Sequence, residues 1–522
     1  MPYISFFIED KTNKTSLNAR SAGEPFFAVD GITLLEASRA AGTMIESPCN
    51  GNGTCGKCKV IILHNDDPSY TEKVPACRTK ITGESGDMCV FIPDYKAEND
   101  TLNITSEGIS FNYTLHPFIT KETPCYGLVV DIGTTTLALS IIDAKTGKAA
   151  ASISSLNPQA AYAQDVLSRI QFASTAEGLK TLHGCLVRQI NEMIGKMASN
   201  AGVKKENIYE VVYSGNTTML YLACGIDPAP LGKYPYTSNI KAGHIKNTGL
   251  DIAPDALVYL PPVISAYVGA DITSGILATG LAGRRGTVIF IDIGTNGEMV
   301  IAHNGQLAAS STAAGPCFEG MNISCGMRAA RGAIETFTRS DDGTISYNVI
   351  GGAEGAEEGG SPPTGICGSG LLDITGELVR TGVIEKSGRF ADAKKTFYIT
   401  DNVFLSQKDV RQVQLAKAAI RCGIEMLLEK LYLTPQDVDA VIIAGSFGYH
   451  LNEKSLINIG LLPEIFAGKI EFAGNTSLSG GTAFLLNTEL RSGMENIVKQ
   501  VQKVELADDP EFENKFVACM SF

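Results

Sequence analysis

The feature that most constrains this chain is a strand-to-turn pattern that occurs twice. A buried run of β-branched residues ends at Asp131 in the first copy and at Asp292 in the second, and a glycine and small polar residues follow each acid. Each turn presents backbone N–H groups and hydroxyls that suit a phosphate, and a carboxylate that can hold Mg²⁺ through its water shell. Two such loops facing each other would hold the phosphates of a nucleotide from both sides. The simpler alternative is a pair of ordinary hairpins, with turns at 143–147 and at Asn304-Gly305.

Composition limits the classes of protein that remain. The chain has 522 residues, which is too long for one hydrophobic core, so about two to four domains are expected. A net charge of −13 argues against a nucleic-acid partner. We find no apolar run of about 18 residues and no basic-then-apolar leader, so we expect a cytoplasmic protein that is neither membrane-spanning nor secreted. In that compartment the 13 cysteines are reduced thiols or metal ligands.

Four cysteines near the start of the chain have the spacing of a metal centre. Cys49, Cys55 and Cys58 lie in a glycine-rich loop, and Cys77 follows further along. This spacing favours thiolate ligation of a [2Fe–2S] cluster, because glycines allow backbone N–H groups to approach the cluster sulfurs. A structural zinc site is the alternative, although only one C-x₂-C pair is present. Cys89 lies in an apolar strand pattern and is predicted to be buried core.

Glycine and polarity patterns divide the chain. We predict a β-rich domain over 1–97, a polar connector over 98–124 and two halves of a larger α/β domain over 125–285 and 286–522. The turn at 215–219 suits an anion contact or a simple helix N-cap. A further turn, after the strand 438–443, would let the backbone approach a flat ligand. Gly480 and Gly481 are predicted to lie in a last glycine-rich turn before a final helix.

These motifs, taken together, resemble those of a known family. Paired Asp-x-Gly-Thr hairpins followed by the Ala-Gly-Ser-Phe-Gly turn at 444–448 resemble the ASKHA superfamily, which includes sugar kinases, a chaperone ATPase and actin. A ferredoxin motif ahead of such a domain resembles the reductive activators of corrinoid proteins, over nearly the whole chain. The resemblance implies an α/β fold class, with an N-terminal β-grasp [2Fe–2S] ferredoxin-like domain (α+β) and a two-lobed ASKHA domain.

The resemblance also implies roles for individual residues. Asp131 and Asp292 would organise Mg²⁺ and its waters, while Glu298 and Asp271 are candidates for positioning the attacking water. ATP would contact the two phosphate loops and the turn beneath the adenosine, formed by Gly133, Thr134, Thr135, Gly294, Thr295, Asn296, Gly445, Ser446, Phe447 and Gly448. The cluster ligands would be Cys49, Cys55, Cys58 and Cys77.

Members of this family use ATP to help move an electron from the [2Fe–2S] cluster to the Co(II) of an inactivated corrinoid protein, which restores Co(I). The expected partners are therefore a corrinoid protein and an upstream electron donor, and a homodimer is one expectation for the assembly. Better-known members carry a small extra domain before the ATPase, for which the connector leaves no room. Two alternatives stay open, namely a small-molecule kinase with a fused redox domain and a substrate pocket near Glu319 and Arg328, and an activator of another low-potential enzyme.

Overall fold

The computed structural model describes residues 2–9, 19–21, 25–43, 45, 47, 58–64, 67–93, 108–109, 111–121, 124–352, 362–392, 395–445 and 451–522. Contacts divide the chain into two compact units. The first comprises Met1–Thr101 with Gln159–Gln164, and the second comprises Leu102–Pro158 with Asp165–Phe522. Within the described residues, no helix is both long and apolar enough to cross a membrane.

The first unit contains a mixed sheet and one short helix. Its elements are β1 (Tyr3–Glu9), β2 (Ala19–Ser21), β3 (Phe26–Phe27), α1 (Leu34–Ala40), β4 (Lys59–His64), β5 (Asp67–Pro75) and β6 (Met88–Ile92). The sheet order is β2-β1-β6-β4-β5, with β3 beside β1 and with β1 and β6 parallel. A capping box between Thr33 and Glu36 starts α1, because each side chain bonds to the other's backbone N–H. The α+β ferredoxin-like fold expected for this region is confirmed.

One prediction for the first unit is wrong. Cys89 is only partly buried, whereas Met88 and Val90 pack into the core. Successive side chains of a strand point to opposite faces of the sheet, so Cys89 lies on the face away from that core.

The second unit begins with one lobe built on a six-stranded sheet. Its elements are β7 (Tyr126–Ile132), β8 (Thr136–Asp143), β9 (Ala149–Leu156), α2 (Val166–Phe172), α3 (Ala176–Ala201), β10 (Ile208–Gly215), α4 (Thr217–Ala223), β11 (Gly243–Lys246), β12 (Leu257–Leu260) and α5 (Ala270–Ala278). The sheet order is β11-β12-β10-β7-β8-β9. Asn216 caps α4 by accepting a hydrogen bond from the Met219 N–H at 3.0 Å, so the N-cap alternative for this turn is present.

The second lobe repeats this plan. Its sheet has the order β22-β21-β13-β14-β15-β23, and smaller sheets pair β16 with β17 and β18, and β19 with β20. The strands are β13 (Thr287–Ile293), β14 (Gly297–His303), β15 (Gln306–Thr312), β16 (Ala333–Arg339), β17 (Ile345–Val349), β18 (Gly365–Ile366), β19 (Thr396–Tyr398), β20 (Phe404–Ser406), β21 (Ala440–Ala444), β22 (Ile470–Gly474) and β23 (Gln502–Lys503). The helices are α6 (Gly368–Arg380), α7 (Gln407–Lys430), α8 (Glu453–Asn458), α9 (Thr476–Leu486), α10 (Thr488–Gln500) and α11 (Phe512–Ala518).

The duplication places the two acids at equivalent positions. β7 lies between an antiparallel hairpin partner, β8, and a parallel neighbour, β10. β13 likewise lies between antiparallel β14 and parallel β21. Asp131 and Asp292 are each the second-last residue of these central strands. Parallel strands end at the same sheet edge, so the turns that follow them gather there.

Helix α9 returns from the second lobe to the first, where it packs on β7, β10 and α5. The turn predicted at Gly480 and Gly481 is wrong, because both glycines lie inside this helix. A Cβ at Gly480 would lie 2.1 Å from the Ser274 carbonyl oxygen, and one at Gly481 would lie 2.6 Å from Val129. The glycines serve close helix packing rather than a turn.

A buried ion pair joins the next helix, α10, to the first lobe. Arg491 Nη1 lies 2.8 Å from Glu210 Oε1, and both side chains are almost fully buried. His244 Nε2 lies 2.6 Å from the same carboxylate oxygen. The carboxylate therefore has two partners, which buried charges require.

The last part of the predicted connector is attached to the second unit. We call residues 108–121, of which 110 is not described, the strap. Gly108 forms a bridge with Gly474 at the end of β22. Further along, the His116 N–H donates to the Leu486 carbonyl at 2.7 Å, and the Thr488 N–H donates to the His116 carbonyl at 3.1 Å. The strap thus contacts both ends of α9.

Candidate functional site

A cleft between the two lobes gathers the residues singled out by the duplicated pattern. It contains about 1130 Å³ of space not occupied by protein atoms, open solvent included. Its lining includes the predicted Asp131, Gly133, Thr134, Thr135, Asp271, Asp292, Gly294, Thr295, Asn296, Glu298 and Gly445, together with Asn216, Glu319, Arg328, Asn475 and Ser477. The roles of these residues stay predictions.

The first phosphate loop, between β7 and β8, is held by hydrogen bonds from side chains of the first lobe. Arg169, which is fully buried, donates from Nη2 to the Thr134 carbonyl at 2.6 Å. Asn157 Nδ2 donates to the Gly133 carbonyl at 2.8 Å, and Asn216 Nδ2 donates to the Thr134 hydroxyl at 3.0 Å. These bonds occupy the loop's carbonyls on the protein side, so the loop is held rigidly before any ligand binds.

The two loops meet through their threonines. Thr135 Oγ1 and Thr295 Oγ1 are 3.4 Å apart. Thr295 Oγ1 also donates to Glu319 Oε1 at 2.8 Å, and Thr135 bonds to the same carboxylate. Asn296 Nδ2 donates to Glu298 Oε1 at 3.2 Å. Hydroxyl and amide donors from both lobes therefore converge on one part of the cleft, as a bound phosphate chain requires.

Burial and mutual repulsion raise the pKa values of the cleft acids. Burial, with the charge of Asp292, raises the pKa of Asp271 to about 8. The pKa of Asp292 rises to about 7 through burial and the nearby Asp131. Burial and the charges of Asp271 and Asp292 raise the pKa of Glu298 well above its usual value. Such a cluster ionises fully only when positive charge enters the cleft.

Asp131 and Asp292 differ in their contacts, although they occupy equivalent strand ends. Asp131 accepts hydrogen bonds from Asn475 Nδ2 and Ser477 Oγ, both at 2.8 Å, at the start of α9. In the described part of the chain, Asp292 accepts no hydrogen bond. Asn475 and Ser477 were not predicted, because they lie more than 340 positions from Asp131 and carry no motif of their own.

The donor set fits magnesium bound through water. Among the described residues no three His, Cys, Asp or Glu side chains are close enough to hold a metal ion directly. Mg²⁺ keeps several of its waters and is typically bound through one or two carboxylates and the substrate phosphates. Asp292, Asp271 and Glu298 offer such oxygens in one cleft, so these residues fit the group.

The predicted turn beneath the adenosine is described only at its first residue. Gly445 lines the cleft with φ +99°, a conformation that L side chains rarely adopt, and a Cβ there would lie 2.7 Å from Asp292 Oδ1. The other three residues of the prediction, Ser446, Phe447 and Gly448, lie outside the described residues.

Two of the four predicted cluster ligands can be located. Cys58 is fully buried, and the Cys77 N–H approaches Cys58 Sγ at 3.5 Å. An N–H group directed at a ligand sulfur is the contact expected around an iron–sulfur cluster, so this pair fits the group. Cys49 and Cys55 lie outside the described residues.

Family models match three segments of the chain. They are a 2Fe–2S iron–sulfur cluster binding domain over residues 21–82, the RACo middle region over 126–284, and the C-terminal domain of RACo, the ASKHA domain, over 286–522. The class of protein is therefore a [2Fe–2S] ferredoxin domain joined to an ASKHA domain. The domain limits at 97, 124 and 285 stay predictions.

Two individual relatives show to which family within this class of protein the chain belongs. The corrinoid activation enzyme RamQ of Eubacterium limosum is 34% identical over 433 residues, which cover 77% of this chain and 71% of that protein. The [Co(II) methylated amine-specific corrinoid protein] reductase of Methanosarcina barkeri is 23% identical over 430 residues, covering 76% of this chain and 77% of that protein. The chain belongs to the family of reductive activators of corrinoid proteins.

A solved structure is similar to this chain over its whole length. The structure titled reductive activator for corrinoid, iron–sulfur protein matches with a TM-score of 0.72 and 28% identity, and covers 100% of this chain and 98% of its own. The expectation that this chain lacks a small extra domain before the ATPase stays a prediction. The model of the family's middle region matches residues 126–284, which form the first lobe here.

Proposed function

We propose that this protein binds Mg²⁺-ATP between its two lobes and uses it to drive reduction of a corrinoid protein's Co(II) to Co(I). The [2Fe–2S] cluster, when bound, supplies the single electron. The observation that supports the proposal is the cleft, in which two equivalent strand ends bring hydroxyl donors and carboxylates together. The same chain also has a ferredoxin domain.

The energetics support a role for ATP. A ferredoxin centre near about −400 mV is a strong reductant, yet Co(I) is harder still to reach. A one-electron gap of about 100–200 mV corresponds to about 2–5 kcal/mol. Coupling between a nucleotide site and a second site is typically about 1–3 kcal/mol, which covers much of that gap.

Helix α9 and the strap support a physical route for this coupling. Asn475 and Ser477, at the start of α9, hold the carboxylate of Asp131. At the other end of the same helix, Leu486 accepts a hydrogen bond from His116 of the strap. A change at the first phosphate loop would therefore reach the connector that leads to the ferredoxin domain through one helix, without crossing the rest of the lobe.

Absorbance spectroscopy tests the proposal. Reduced protein and Mg²⁺-ATP should convert the Co(II) spectrum of a corrinoid protein from the same cell to that of Co(I), and omitting ATP should greatly slow the conversion. Asp292→Ala should abolish ATP hydrolysis and leave the cluster's EPR signal unchanged. Equal rates with and without ATP would contradict the proposal and favour the small-molecule kinase. Absence of nucleotide binding in calorimetry would contradict the assignment of the cleft.

A further inference from the structure

Glu319 contacts both phosphate loops at once. It lies at the end of a short 3₁₀ turn, Pro316–Glu319, and lines the cleft. Its Oε1 accepts the hydrogen bond from Thr295, and its carboxylate also bonds to Thr135, whose loop belongs to the other lobe. One carboxylate thereby contacts hydroxyl donors from both of the loops that would hold the terminal phosphate.

The second oxygen of this carboxylate is available to a ligand. Glu319 Oε2 is buried and accepts no hydrogen bond from the residues that the structure describes. A buried carboxylate oxygen without a partner is costly, so water or a bound group in the cleft is its natural partner. Burial raises the pKa of Glu319, whereas hydrogen bonds from the two threonines and the charges of Arg328 and Arg169 lower it. A carboxylate fixed by one oxygen and free at the other can orient a water molecule and accept its proton.

Glu298 and Asp271, the two acids predicted to position the attacking water, have different surroundings from Glu319. Glu298 already accepts a hydrogen bond from Asn296, and it lies with Asp271 and Asp292 in the cluster that suits the metal ion. Glu319, in contrast, bonds to the loop threonines instead of joining that cluster. We infer that Glu319, rather than Glu298 or Asp271, positions the water that attacks the terminal phosphoryl group of the bound nucleoside triphosphate.

This inference rests on the proposed nucleotide function, and its step balances. The water oxygen forms a bond to the terminal phosphorus, while the bond between that phosphorus and the bridging oxygen breaks. The water proton passes to Glu319 Oε2, and the diphosphate departs as the leaving group. The carboxyl group then returns the proton to solvent or to the released phosphate, so the residue is regenerated.

Glu319→Gln separates this role from a purely structural one. The amide oxygen can still accept hydrogen bonds from both threonines, but the side chain cannot take a proton. We expect ATP hydrolysis to fall by about 100-fold or more. The affinity for a non-hydrolysable ATP analogue should stay within about threefold in calorimetry, which is under 1 kcal/mol. After desalting, the variant should retain intact ATP, which acid release and chromatography would identify, whereas wild type should hold ADP.

The pH profile gives a second readout. With Mg²⁺-ATP saturating at every pH, so that weaker binding at acid pH does not limit the rate, wild-type hydrolysis should decline towards acid pH as Glu319 gains a proton, and Glu319→Gln should lack that limb. Glu319→Asp keeps a base on a shorter side chain and should retain the acid limb at a reduced rate. Wild-type turnover in the glutamine variant, or loss of analogue binding in it, would overturn the inference and leave Glu319 as a link between the loops. Failure of wild type to bind ATP would instead contradict the proposed function.

Discussion

Replacing Gly108 by alanine tests whether the strap carries the nucleotide signal. Gly108 pairs with Gly474 and passes the first turn of α9. An added Cβ would lie 2.2 Å from Ser479 Oγ and 2.4 Å from the Asn475 carbonyl oxygen. The serine hydroxyl can rotate away, but the backbone carbonyl cannot. The strap must therefore move from the helix by about 1 Å to reach normal contact distance.

The expected energetic cost of the added methyl group is similar to the coupling free energy that it is meant to disrupt. Overpacking of this kind costs about 1–3 kcal/mol, and coupling between two sites is typically about 1–3 kcal/mol. The bonds of His116 at the far end of α9 are not touched, so the lobe should stay folded. We expect the acceleration of Co(II) reduction by ATP to fall by about fivefold or more. ATP hydrolysis itself should stay within about threefold of wild type, which is under 1 kcal/mol of barrier.

The assay compares initial rates of Co(I) formation with and without Mg²⁺-ATP. Gly493→Ala, on α10, is the matched control, because its Cβ would meet no atom within 4 Å. Hydrogen exchange of the strap amides would report whether the strap has left its position. A strap that is displaced in this measurement, combined with undiminished acceleration by ATP, would refute the proposed route through α9.

Three further predictions concern the cluster, the cleft and the ion pair. Serine at each predicted ligand should remove or strongly alter the reduced-state EPR signal, whereas Cys89→Ser should keep it; the ligands are Cys49, Cys55, Cys58 and Cys77. Because the raised pKa values of Asp271 and Asp292 mean bound protons near neutral pH, Mg²⁺-ATP binding should release protons and tighten as pH rises from 6 to 8. Calorimetry in buffers of different ionisation enthalpy measures that release, and its absence would contradict the assignment of these acids. Arg491→Met leaves a buried carboxylate without its charged partner and should lower the free energy of unfolding in urea by about 3–5 kcal/mol. Arg284→Met, at a partly exposed salt bridge with Glu471, is its control and should change the free energy of unfolding by less than about 1 kcal/mol.

The sheet cores and the position of the cleft could be predicted because they depend on local pattern. Asp131 and Asp292 each lie near the end of an apolar run, and the glycine and small polar residues that begin two positions after each acid do not continue a buried strand. The hairpin turn at Asn304 and Gly305 has positive φ at both residues, as the type I′ signal requires. A capping box at Ser406 starts α7, with Asp409 bonding back to the Ser406 N–H; the Ser-x-x-Asp spacing is likewise a local pattern.

The parts that could not be predicted depend on contacts between distant segments. Asn475 and Ser477 bond to Asp131 only because α9 crosses back to the first lobe, which no local pattern signals. Gly480 was interpreted as a turn because glycine clusters usually mark turns, whereas here the glycine allows α9 to approach the backbone of α5 at Ser274. Glu319 was named only for the substrate pocket of the kinase alternative, because its contacts with both loops depend on how the lobes pack.

The duplicated loops have therefore diverged in what their acids do. Asn475 and Ser477 bond to both oxygens of Asp131 and tie the first loop to α9; burial raises the pKa of Asp131, and these two bonds lower it only in part. Asp292 receives no such bond from the described residues and faces the charges of neighbouring acids, so a metal ion is the partner that stabilises it best. The acid of the first copy is thus connected to helix α9, whereas the acid of the second copy is suited to holding Mg²⁺. Because the nucleotide would contact both loops, we expect binding of the metal at one loop to be coupled to the contacts that α9 makes with the other.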